Sequence, residues 1–150
     1  MQRKQPKNHI MNKRAIIAAI AGAVAFFLLG WLLFGVLLMN LYVQNTTEYT
    51  GLMKEMPNLW ILFISNLASG LLLAFIFQNW ASISTFKGGL TGGLIIGFLL
   101  GIIIDGYFLS GFNLYSAKVI IVDVLANTFL YGIIGGLIGW ILGYRKKATT

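Results

Sequence analysis

The chain has no cysteine and a single histidine, His9, among 150 residues. Disulfides, thiol chemistry and Cys-ligated zinc are therefore excluded, and so is a His-rich metal site or a Ser-His-Asp triad within the apolar part. Charge is scarce as well. Asp, Glu, Lys and Arg make up 10% of the residues, against roughly 25% in soluble domains. The acids are Glu48, Glu55, Asp105 and Asp123 alone. So little charge excludes an ordinary water-soluble fold, and the length leaves no room for a separate soluble catalytic domain beside a membrane part. The glycine runs 88–93 and 132–139 lack the Gly-Lys-Ser/Thr of a phosphate loop. No His-Glu-x-x-His or Gly-x-Ser-x-Gly sequence occurs. The expectation is a non-enzymatic protein with no catalytic residue, no cofactor and no bound metal.

What is abundant is apolar residue, 58% of the chain, gathered into four stretches. They run from about Ala15 to Asn40, Asn58 to Asn79, Gly88 to Leu109 and Val119 to Gly143. Each is about 22 to 26 residues, enough to cross a hydrocarbon core near 30 Å at 1.5 Å per residue. Backbone groups in lipid must be paired within the segment, so the spans are expected as helices. The predicted fold is all-α: an integral membrane four-helix bundle over 15–143, between basic tails at 1–14 and 144–150. The first span follows a basic stretch as a secretory signal would, but its length and the three further spans mark it as retained.

The formal net charge of +7 sits at the two ends. Arg3, Lys4, Lys7, Lys13 and Arg14 precede the first span, and Arg145, Lys146 and Lys147 follow the last. Basic clusters beside an apolar span favour anionic lipid headgroups, at about 1 kcal/mol per residue, so lipid rather than nucleic acid is the expected partner. Four crossings put both tails on one side, and both are basic, which predicts cytoplasmic termini at a bacterial inner membrane and outer loops after the first and third spans. Tyr42, Trp60, Tyr107 and Tyr115 then fall near the outer surface, and Trp80, Trp140 and Tyr144 near the inner one, as interfacial rings do.

In the first outer loop, Tyr49, Leu52, Met53 and Met56 recur at i, i+3, i+4 and i+7. With Thr47 as N-cap, Glu48 in the first turn and Pro57 as terminator, this pattern predicts a short helix lying in the outer interface.

The last two spans carry matched stripes. Gly89, Gly93, Gly97 and Gly101 recur every four residues and lead to Asp105. Asp123, Asn127 and Tyr131 lead to Gly135, Gly139 and Gly143. Residues four apart share a helix face. Folded about a turn near Leu114, the hairpin is predicted to set Asp105 level with Asp123, Gly97 level with Tyr131 and Gly93 level with Gly135. Small residues at this spacing let helices approach closely in lipid. A second set, Gly88 and Gly92 with Gly132 and Gly136, leaves a face for the first two spans or for a second copy in a homo-oligomer.

The glycines are explained by packing alone; the acids are not. An Asp at the centre of a span costs roughly 2.5 to 3.5 kcal/mol and less toward the interface. Two carboxylates at one depth disfavour joint ionisation, so the pair is a candidate for sharing a proton, or Asp123 for neutralisation by Lys118. Asn66 on the second span comes near the depth of Asn127, with Ser65 and Ser69 beside it and Thr128 beside Asn127. Asp105, Asp123, Asn66, Asn127 and Tyr131 thus form a candidate polar or ion site in the outer half. The alternative is interhelical hydrogen bonding at about 0.6 kcal/mol per contact.

Gly30-Trp31-Leu32-Leu33-Phe34-Gly35, Tyr107-Phe108-Leu109-Ser110-Gly111-Phe112, Val122-Asp123 and Gly139-Trp140 together resemble a group of small bacterial four-span membrane proteins known as a domain of unknown function. The resemblance covers the first span and the C-terminal half, and it departs where Leu32 and Leu33 replace that group's Trp-Tyr pair and proline. It implies four helices and no assigned activity. Three functional readings remain: a membrane protein of unknown specific function with an outer polar site, a proton- or cation-coupled transporter working through Asp105 and Asp123, and an assembly or scaffold subunit of a membrane complex.

Overall fold

The computed structural model describes residues 11–52, 54 and 56–144. Helix α1 covers Lys13–Gly30 and continues in wider π-helical turns over Trp31–Leu37. A short helix α2 follows at Met39–Asn45, then α3 at Leu59–Phe75 with its own π-helical extension Ile76–Trp80. Helix α4 covers Phe86–Gly111 and α5 covers Ala117–Gly143. The starts have a local cause. Asn12, Asn58, Thr85 and Ser116 stand in extended backbone before the long helices, and their side chains accept from first-turn N–H groups, which N-cap residues do because those donors have no partner within the helix. Counted with the π-helical turns, the long helices have 25, 22, 26 and 27 residues, and all four are long and apolar enough to cross a membrane.

The loop after the first span departs from expectation. Its described residues make a turn, with Leu52 N–H donating to the Tyr49 carbonyl, and no helix. Gly51 sits at φ +80°, a left-handed conformation that interrupts any right-handed helix through Thr47, Glu48, Tyr49 and Leu52. Met53 and Glu55 lie outside the described residues. The short helix in this part of the chain is instead α2, ahead of the loop. The chain leaves α2 by pairing with the loop between α4 and α5: Thr47 N–H donates to the Leu114 carbonyl at 2.8 Å and Ser116 N–H to the Asn45 carbonyl at 3.2 Å, an isolated antiparallel bridge at Thr46 and Tyr115.

The helices stand in the order α3, α1, α5, α4. The α4–α5 interface is the largest, α1 packs on both α3 and α5, and α4 meets no other long helix extensively. Two seams of small residues set this order. On α1, Ala15, Ala18, Ala19 and Ala23 are fully buried, and a Cβ at Gly70 of α3 would run into the Ala19 carbonyl oxygen. On the α4–α5 seam, a Cβ at Gly89 would overlap the Gly135 carbonyl, one at Gly93 the Tyr131 carbonyl, and one at Gly139 the Thr85 carbonyl. Backbone lies against backbone at each place, and only hydrogen fits. Gly143 packs against the Ser84 carbonyl. Between the seams, Phe26, Leu73, Phe77, Leu130, Ile134, Ile138 and Leu142 form the apolar core. The second glycine set is filled mainly by side chains of the same hairpin and its leading segment. Gly132 meets Leu94, Gly136 meets Phe86, and Gly88 meets Thr85 and Ile83, while Gly92 alone also meets Phe77 of the second span.

Candidate functional site

The glycine seam loosens toward the end that carries loops 46–58 and 112–116. A Cβ at Gly97 would press on the Cβ of Tyr131 at 2.5 Å, and one at Gly101 would reach Val124 only at 3.3 Å. One turn further on, the α4 stripe becomes Asp105, and space opens between the helices. A cavity of about 80 Å³ lies there, lined by Gly97, Gly101, Asp105, Asp123, Asn127 and Tyr131 among others. A second, of about 210 Å³, continues toward the loops between Asp105, Asp123, Tyr42, Phe108 and Tyr115. The two carboxylates thus border the same two spaces.

Their hydrogen bonding differs. Both oxygens of Asp123 are engaged. The Tyr42 hydroxyl donates to Oδ1, and the Asn127 amide, one turn along α5, donates to Oδ2 at 2.6 Å. Asp105 is 8% exposed, and its Oδ2 is buried with no hydrogen-bond partner among the described residues. Lys118, the alternative counter-charge for Asp123, is exposed at the start of α5, and the hydrogen-bond donors to Asp123 are Tyr42 and Asn127. Tyr42 lies on α2, outside the long spans. Burial first, then the Asp123 acceptor, raise its hydroxyl above the ordinary value of 10.0, so this group stays a donor.

Tyr42 was legible in the sequence only as an interfacial ring. The residue reaches Asp123 because the Thr46–Tyr115 bridge folds α2 against the α4–α5 turn. Tyr42 also packs edge-on to Phe34 and Tyr115, with ring centroids 6.2 and 6.4 Å apart.

Asn66 does not join the acids. It belongs to a separate cavity of about 530 Å³ between α1, its π-helical turns, α3 and α5, whose polar lining is Asn66, Ser69, Asn127 and Tyr131. Asn127 and Tyr131 border both this cavity and the small acid-lined one. The Tyr131 hydroxyl donates to Ser69 Oγ at 3.1 Å, and its ring meets Phe26 edge-on at 4.7 Å. Ser65, Ser69 and Thr128 donate to carbonyls of their own helices. The five residues expected to form one site therefore divide into an acid pair and an amide-lined cavity that share a wall.

Of the basic residues expected at lipid headgroups, Lys13 and Arg14 open α1 at the opposite end of the bundle, and both are exposed. Arg3, Lys4, Lys7, Arg145, Lys146 and Lys147 lie outside the described residues.

Fold and site together define a class: a multi-pass membrane-type helical bundle with a polar cluster at its loop end. No family model, curated protein or solved structure matches this chain.

Proposed function

We propose that this is a non-enzymatic, multi-pass protein of a bacterial inner membrane, with both termini cytoplasmic, whose Asp105–Asp123 pair holds one proton in the outer half of the bundle. The carrying observation is the contrast within the pair. Asp123 has the form of a structural acid, with both oxygens bonded across and along the helices. Asp105 has a buried oxygen with no partner. A carboxylate placed only to tie helices together would not leave an oxygen unpaired in apolar surroundings, where that costs several kcal/mol. One proton between the two acids halves the charge of the pair and leaves Asp105 a neutral carboxyl in place of a buried anion. A multivalent metal suits the place less well, since no group of three or more His, Cys, Asp or Glu gathers among the described residues. A proton held within the bundle is what a proton-coupled transporter requires, and the unpaired Asp105 oxygen favours that role over a purely structural one.

Asparagine substitution at each acid tests the proposal. Asn at position 105 copies a protonated acid, so Asp105→Asn is expected to leave detergent thermal stability unchanged or raised while abolishing proton-coupled uptake in vesicles. Asp123→Asn leaves one acceptor oxygen where two now receive Tyr42 and Asn127 and is expected to lower stability by about 1 kcal/mol. Equal destabilisation by both substitutions, with uptake unaffected, would make both acids structural.

A further inference from the structure

The amide-lined cavity has a use of its own. Its floor is buried, with Phe26 at 3% and Leu130 at 6% exposure, while Trp31 at 64% and Leu59 at 55% stand at its rim. The cavity thus runs from a buried floor to exposed apolar residues between the π-helical turns of α1 and the start of α3. Its volume of about 530 Å³ lies within the roughly 300–1,000 Å³ of small-molecule sites. Where α1 lines the space the helix widens into π-helical turns, a distortion often found at functional sites. No charged residue among the described ones lines it. Asn66, half-buried in its wall, makes no hydrogen bond among the described residues, although an amide offers two donors and an acceptor. Such a group at membrane depth lacks a partner that neither lipid tails nor the neighbouring side chains supply.

We infer that this cavity binds a single-chain amphiphile with an uncharged, hydrogen-bonding head, of which a monoacylglycerol is the simplest representative. The acyl chain lies against the aromatic and aliphatic wall, and the hydroxyl or ester groups pair with Asn66. A charged head is disfavoured because it would be desolvated without a facing counter-charge. Neither acid lines this cavity, so the inference is independent of the proton reading.

Gly30 gives a clean way to close the site. It borders the cavity, and a Cβ there would meet only Leu130 Cδ2, at 4.0 Å. A leucine at this position therefore grows into the cavity rather than into backbone. The probe is a monoacylglycerol carrying a photoreactive diazirine in its chain, with the full chain in lipid nanodiscs. Labelling is expected to saturate, to concentrate on stretches 26–35 and 57–69, and to be displaced by unlabelled monoacylglycerol. A fatty-acid anion or an alkyltrimethylammonium of equal chain length is expected to displace it at least about tenfold less well. Gly30→Leu should abolish labelling at unchanged melting temperature, and Asn66→Leu should weaken it about tenfold. Labelling that does not saturate, that spreads equally over the exposed face of α4, that survives Gly30→Leu, or that charged amphiphiles displace equally well would overturn the inference.

Discussion

The α4–α5 hairpin is built in two halves from one repeating register. Toward the termini, the four-residue stripe is glycine on both helices, and backbone carbonyls lie where side chains would otherwise begin. Toward the loops, the same stripe carries Asp105 on one helix and Asp123, Asn127 and Tyr131 on the other. There the seam relaxes and two cavities open. The contrast teaches that glycine and polar stripe are parts of one device. The tight half fixes the depth and rotation of both helices, and the open half uses that fixed geometry to hold two acids at a common space. In lipid, where apolar association gives little direction, close backbone packing is the available source of such registration.

Breaking the tight half gives the largest expected effect. Gly93→Leu drives a side chain into the Tyr131 backbone, which cannot yield as a flexible side chain would. The expected outcome is loss of folded protein, a cost above about 3 kcal/mol, read as collapse of the monodisperse peak in detergent. Gly106→Leu, on the same helix but with open space around it, should leave that peak intact.

The open half should respond more mildly. Because the Tyr42 hydroxyl is raised above 10.0, the unfolded chain loses this proton first as pH rises. The stability it contributes is present below about pH 10 and declines above it. Tyr42→Phe is therefore expected to lower the melting temperature at neutral pH and to flatten the alkaline decline, as a pH series of melting curves would reveal. A smaller effect is expected from Tyr131→Phe. It loses the bond to Ser69 and keeps the ring contact with Phe26, for about 0.6 kcal/mol.

The spans were readable because length and apolarity alone set them, but apolarity placed the starts of the last two at Gly88 and Val119, whereas the capping side chains of Thr85 and Ser116 begin these helices at Phe86 and Ala117. The level pairing of Gly97 with Tyr131 followed from counting along an antiparallel hairpin. Counting gives depth, however, and not direction around the helix axis. Asn66 sits at a suitable depth, but α3 packs mainly on α1, so its amide reaches a different cavity from the acids. The loop helix failed for a related reason. Its apolar spacing was real, but Gly51 and the Thr46–Tyr115 bridge decide the backbone there, and the bridge joins residues far apart in sequence. Tyr42 became visible as a partner of Asp123 only through that bridge. The π-helical turns leave no mark on a pattern of residues that are apolar on every side.

Asp105 and Asp123 are the chain's only aspartates, so isotope labelling of aspartate isolates the pair from Glu48 and Glu55. Infrared spectra of the ¹³C-aspartate protein in lipid at neutral pH count the protons on the pair. One protonated carboxyl and one carboxylate per chain are expected, with the protonated band lost in Asp105→Asn. Two ionised carboxylates in the folded protein would contradict a proton held by the pair.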